Sequence, residues 1–200
     1  ALTGGSPVVV REVNERVEFA APYDALLNGA LAFLEGRRAD ALRHFDGEAV
    51  DAVAEAARGP LHLALAALAV EDDPQAALGH RDSARLAAPG SLVEEAALRR
   101  GVLIAAELND LETFRRLTGR YLRKFATSAY AGNFRRRFAS ALTRMSFLEN
   151  KSGFDILEDI LGPMQSSGKR EIYLDLARSA VETGRSEVAA VAARRAKMGA

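Results

Sequence analysis

The chain has 200 residues, with 27 Lys+Arg against 27 Asp+Glu and neither cysteine nor tryptophan. That length suits one moderate domain or two small ones with a real core. Zero net charge argues against whole-molecule attraction to nucleic acid or anionic membrane, and the lack of cysteine excludes disulfides, thiolate catalysis and cysteine-ligated metal. The longest apolar stretch, Leu61–Val70, contains His62 and is too short to span a bilayer. With neither Met nor a charged-then-apolar leader at the start, the sequence reads as a processed protein or an excised fragment.

In chain order, Thr3-Gly4-Gly5-Ser6-Pro7 reads as loop, and Val8 to Phe19 as a short strand, a helix or a tethering arm. Residues 1–22 together form a short, irregular N-terminal arm or linker, followed by one helical-repeat domain over 23–198. Prolines 22, 60, 74, 89 and 163 each stand where one apolar-periodic segment is expected to stop and another to start, because proline lacks the N–H a helix interior needs. Asp72-Asp73 reads as a helix N-cap before Pro74. Ser91-Leu92-Val93-Glu94 fits a capping box opening a helix from about Leu92 to Leu108. Leu111, Phe114, Leu117, Tyr121, Leu122 and Phe125 then recur at three- and four-residue steps with charged residues between them, a one-sided amphipathic helix. After a Thr127-Ser128 cap, Tyr130, Phe134, Phe138, Ala141, Met145 and Leu148 repeat the pattern.

The breaks are themselves periodic. Gly36, Asp72-Asp73, Asn109-Asp110, Asn150-Lys151 and Gly184 follow one another at intervals of about 36, 37, 41 and 34 residues, the mark of stacked helix pairs. Gly29, Gly36, Ala41 and Phe45 fall on the small, turn and packing positions of a tetratricopeptide-like unit. Asp72, Ala77, Ala84 and Pro89 match part of a second unit, and Ala177, Gly184, Ala189 and Ala196 a last one. The usual first-helix Trp and Tyr are missing. The expected fold is therefore all-α: stacked antiparallel helix pairs forming a tetratricopeptide-like solenoid or a bundle.

Chemistry-bearing motifs are scarce. His44, His62 and His80 lie on three different expected segments, with no His pair at i, i+4, so they read as structural residues rather than metal ligands. Gly162 to Lys169 has the wrong spacing for a phosphate loop, Arg170 where a hydroxyl belongs, and no preceding strand. The reading is a non-enzyme with no catalytic residue, cofactor, metal or small-molecule substrate.

Charge segregation is the stronger signal. Thr113 to Leu148 holds nine bases and no acid: Arg115, Arg116, Arg120, Arg123, Lys124, Arg135, Arg136, Arg137 and Arg144. Asp46 to Asp73 holds seven acids and one base, Arg58. A solvated helix face accounts for such a run, but so does a basic surface that docks an acidic partner or an anionic polymer. Helical spacing puts Phe114, Tyr121, Phe125, Phe134 and Phe138 opposite the arginines, as core and not as base-stacking platforms, which argues against nucleic acid.

Four strings carry a family resemblance: Ala87-Ala88-Pro89-Gly90-Ser91-Leu92-Val93-Glu94-Glu95-Ala96-Ala97-Leu98-Arg99-Arg100, Tyr121-Leu122-Arg123-Lys124-Phe125, Ser128-Ala129-Tyr130-Ala131-Gly132-Asn133-Phe134-Arg135, and Ile172-Tyr173-Leu174-Asp175-Leu176-Ala177-Arg178. They resemble MotC, the periplasmic motility proteins of flagellated alphaproteobacteria, and the likeness is densest between Ala87 and Phe138. The resemblance implies an exported, periplasmic, non-enzymatic protein that binds and stabilises the periplasmic part of the stator protein MotB and is required for flagellar rotation. It carries over no contact residues. The nine bases are the candidate partner-binding surface from charge alone, with the Arg135-Arg136-Arg137 ridge or a concave face of the stack as its focus. A cell-envelope scaffold that binds peptidoglycan or another anionic polymer is the alternative.

Overall fold

The computed structural model describes residues 6–45 and 53–198. Among them all regular structure is helical: eleven α-helices and one 3-10 turn, with no strand. The all-α class and the packed helix pairs expected from the periodicity are both present. The pairs are unequal in helix length, so what repeats is the helix–turn–helix order and not a uniform unit. The chain divides into two compact units, residues 1–97 and 98–200.

The first unit contains α1 (Pro7–Arg16), α2 (Tyr23–Leu34), α3 (Arg38–His44), α4 (Glu55–Ala69) and α5 (Pro74–Ala87), and ends within α6 (Leu92–Glu107). The arm is thus largely helix, with Pro7 supplying the first helical position, where its missing N–H costs nothing. It is tied to α2 by Asn14 Nδ2 donating to Asn28 Oδ1 at 2.9 Å and by an Arg11–Glu35 ion pair. The α2–α3 pair closes because Gly29 leaves room for the Phe45 ring, which a Cβ there would meet at 2.3 Å. Around that contact Ala32, Ala41, Leu61, Ala64 and Leu65 form one apolar cluster from α2, α3 and α4.

Pro60 departs from expectation. It lies inside α4, which runs through it from Glu55 to Ala69. Only one helical hydrogen bond is lost there, and Gly59 beside it brings α4 within contact of Val93 and Ala88. Packing outweighs the local break. The expected Thr127-Ser128 cap falls short of its helix, whose N-cap is Tyr130 without a side-chain bond; Ser128 Oγ accepts Tyr130 N–H at 3.2 Å in the turn before it. The signals at Asp73 and Ser91 hold. Asp73 Oδ1 accepts from Ala76 N–H at 2.9 Å before Pro74. Ser91 Oγ accepts from Val93 N–H at 3.1 Å, and Glu94 Oε2 reaches back to Gly90 N–H at 2.6 Å. That is one residue earlier than a standard capping box, because Ser91 N–H is occupied by Ala88 O.

The second unit holds the rest of α6, then α7 (Leu111–Phe125), α8 (Ala131–Leu142), the 3-10 turn Ser146–Glu149, α9 (Lys151–Ile160), α10 (Ser166–Glu182) and α11 (Ser186–Met198). Residues 101–106 of α6 are all buried, as befits a helix with neighbours on every side. Met145 and Leu148 continue the buried stripe of α8 beyond its last turn, carried by the 3-10 segment.

Three turns share one hydrogen-bond signature. At Gly36, Asn109 and Gly184 the backbone adopts φ of 74°, 53° and 73°. The next N–H returns to the carbonyl five residues back, Arg37 to Ala32, Asp110 to Ala105 and Arg185 to Ala180, at 2.8–2.9 Å. This is the Schellman closure, which satisfies carbonyls that a helix end leaves orphaned. Each turn is then fastened to a neighbouring segment of its own unit. Arg38 donates to Leu68 O at the end of α4 and pairs with Asp72. Asn109 bonds Ser146, and Arg185 donates to Thr143 O at the end of α8.

Candidate docking surface

The basic run resolves into two helices of the second unit. Asp110 caps α7, its Oδ1 accepting Thr113 N–H at 3.0 Å, and that bond holds its carboxyl below the usual carboxylate range. Phe114, Leu117, Tyr121 and Leu122 of α7 are buried, as are Phe134, Phe138, Ala141 and Leu142 of α8. The two stripes meet, Phe114 on Phe138 at 5.3 Å and Tyr121 on Phe134 at 4.2 Å between ring centroids. The arginines of α7 and of α8 lie off this aromatic seam.

Their situations differ. Arg135 turns sideways to α10, where Nε lies 3.0 Å from Asp175 Oδ2 and the guanidinium also pairs with Glu171. Arg144 lies 3.9 Å from Glu107. Arg116, Arg120 and Lys124 have interactions within the protein. Arg115, Arg123, Arg136 and Arg137 are exposed and make no ion pair with any described residue. The Arg135-Arg136-Arg137 ridge is thereby divided, since successive residues turn about 100° around a helix: Arg135 toward α10, Arg136 outward, Arg137 toward α6.

On that last side lie two arginines outside the basic run. The C-terminal ends of α6 and α8 lie side by side, with Glu107 3.9 Å from Arg144 and Asn109 bonded to Ser146. Arg99 stacks its guanidinium over the Tyr130 ring at 4.5 Å from the centroid, an attractive cation–π contact. Arg100 is held below the usual guanidinium range, first by desolvation from the protein around it and then by the charges of Arg99 and Arg137. Counting charges along the basic run misses Arg99 and Arg100, which lie before Thr113.

Charge asymmetry exceeds what either run suggests. Residues 1–97 carry 8 Arg against 16 Asp+Glu, a net of −8, and residues 98–200 carry 19 Lys+Arg against 11 Asp+Glu, a net of +8. Of the acidic run, Asp46, Glu48 and Asp51 lie outside the described residues. Asp72 pairs with Arg38, Asp73 is a cap, and Glu55 and Glu71 are exposed.

His62 and His80, on different helices, meet with Nδ1 atoms 3.2 Å apart and ring centroids 5.5 Å apart. The centroid separation exceeds the nitrogen separation by about two ring radii, so the two nitrogens point straight at each other. That is the geometry of an N–H···N bond; lone pairs that must share a metal converge instead. Burial lowers the His80 pKa. Among the described residues no group of three His, Asp or Glu is arranged to hold a metal ion. In the false phosphate loop, Lys169 is within α10 and pairs with Glu158, which also accepts from Tyr173 Oη at 2.7 Å.

Comparison with known proteins completes the description. The family model described as chemotaxis protein MotC matches residues 1–200. A protein named chemotaxis protein MotC from Rhizobium meliloti (strain 1021) is 33% identical over 198 residues, covering 98% of this chain and 44% of that protein. The chain thus spans less than half the length of that relative. No solved structure matches.

Proposed function

The chain belongs to the chemotaxis protein MotC family, and from that premise we propose that it is the helical-repeat part of a periplasmic motility protein that binds the periplasmic part of MotB and supports flagellar rotation. The family is one of motility and chemotaxis proteins, and the proposed action is contact rather than catalysis. Among the described residues no helix is long and apolar enough to cross a membrane. The single observation that carries the reading is the set of exposed arginines on α8, Arg136 and Arg137, which no acid among the described residues neutralises. Exposed like charges on a rigid helix attract and orient an oppositely charged partner.

The test is capture of a purified periplasmic MotB fragment by the wild-type chain and by the double variant Arg136→Glu, Arg137→Glu, with swimming on soft agar as the cellular readout. Arg135 is left in place because it holds α8 to α10. Capture is expected to fall roughly tenfold, since losing a charge-assisted contact is worth about that factor or more, and swimming to be impaired. Unchanged capture by a folded variant removes this face from the reading. If the chain instead sediments with purified sacculi, an envelope polymer and not MotB is its ligand.

A further inference from the structure

Between α9, α10 and α11 of the second unit lies a cavity of about 240 Å³. Ser166, Lys169, Arg170 and Tyr173 stand at i, i+3, i+4 and i+7 along α10 and line it as one helical stripe. Arg195 lines it from α11 and Glu158 from α9. Both oxygens of Glu158 are taken, one by Lys169 Nζ and the other by Tyr173 Oη at 2.7 Å. Desolvation, the largest influence on Glu158, pushes its carboxyl up, yet those two bonds bring it below the usual carboxylate range. Arg195 Nη2 is spent on Asp155 at 2.7 Å. Arg170 is exposed and makes no ion pair with any described residue.

The donors left over around this cavity exceed the acceptors. Lys169 has ammonium N–H groups beyond the one given to Glu158, Arg195 has its Nε and Nη1 sides, and Arg170 has its whole fork. Lys169, Arg170 and Arg195 face only Glu158 and Asp155, which leaves a positive charge unbalanced. We propose that the cavity binds a phosphate-type oxyanion, held by Lys169, Arg170, Arg195 and the Ser166 hydroxyl. A carboxylate presents two oxygens, whereas a phosphate group presents more and can take donors arriving from two helices at once. The cavity is smaller than the roughly 300–1,000 Å³ of sites that enclose drug-sized ligands, so it suits a single head group. It owes nothing to the phosphate-loop spacing that Gly162 to Lys169 imitates, because its donors are side chains of a helical stripe and not backbone N–H groups of a loop. Free phosphate and the phosphate of a lipid headgroup share this chemistry, and the site stands or falls independently of MotB capture.

Calorimetric titration of the full chain with inorganic phosphate at low salt should give saturable binding with a dissociation constant on the order of 1 mM. Arg170→Ala removes an exposed cation that pairs with no described acid. Its melting temperature should match that of the wild type while its phosphate affinity falls roughly tenfold. Ser166→Ala should lose about threefold. The control Arg194→Ala removes the same charge from an exposed position of α11 outside this cavity and should bind within about twofold of wild type. The site is overturned by the absence of saturable binding to the wild type, by equal affinity in wild type and Arg170→Ala, or by an equal loss in the α11 control. Acetate that displaces phosphate at equal concentration overturns the assignment to phosphate. Flotation with vesicles of phosphatidylcholine and phosphatidylglycerol in equal parts then identifies the source. Wild type that floats while Arg170→Ala does not assigns the site to a lipid headgroup, and phosphate binding without flotation assigns it to the free ion.

Discussion

Asn109 shows how one residue can serve a turn in two ways. Gly36 and Gly184 occupy equivalent turns and need only the left-handed backbone, which glycine adopts without steric cost. Asn109 adopts it at φ 53° and uses its amide as well, accepting from Ser146 N–H at 3.0 Å and donating to Ser146 Oγ at 2.8 Å. Two substitutions separate these roles. Asn109→Gly keeps the backbone and loses the side-chain bonds, so unfolding in urea should show a loss of about 1 kcal/mol. Asn109→Ala adds the left-handed penalty and should fall a further 1–2 kcal/mol or so below it. If the two variants are equally stable, the left-handed conformation carries no penalty here; if glycine matches the wild type, the Ser146 bonds contribute nothing. The break at Asn109 is legible in the sequence, since Asn-Asp marks a turn, but its partner 37 residues away is not, because a side-chain bond between segments leaves no local signal.

At the scale of elements, what could be read in advance depends on distance along the chain. The Asp73 cap, the Ser91–Glu94 box and the buried stripe of α7 involve residues within one or two turns of each other, so periodicity and capping chemistry suffice to find them. Pro60 misleads because tertiary contact of Gly59 overrides a local rule. His62 and His80 lie on separate helices as the sequence suggests, but their meeting has no local signal because only packing brings them together. Arg135, Arg136 and Arg137 read as one ridge and behave as three different residues, since α8 has α10 on one flank and α6 on the other. This divergence is measurable. Arg135→Ala removes a partly buried guanidinium from Asp175 and Glu171 and should lower stability by about 1–2 kcal/mol. Arg136→Ala, fully on the solvent side, should stay within about 0.5 kcal/mol of wild type. Paired thermal melts decide it: equal melting temperatures would mean that the α8–α10 ion pairs contribute nothing to holding these helices together.

For the whole molecule, net charge is the least informative description of a chain whose 97 N-terminal residues carry −8 and whose remaining residues carry +8. A neutral protein with even charge has no long-range preference for its own kind. Where the two units carry opposite net charge, the basic unit of one copy attracts the acidic unit of another wherever salt does not screen it. The screening length is about 30 Å at 0.01 M salt, comparable to a unit of this size, and about 8 Å at 0.15 M. Light scattering and sedimentation velocity at neutral pH should therefore show association in 0.01 M salt that disappears by roughly 0.3 M. A sedimentation coefficient independent of salt would mean that the opposing charges are already neutralised within each chain. The acidic partner proposed for Arg136 and Arg137 would then have to act through those exposed side chains and not through the field of the basic unit.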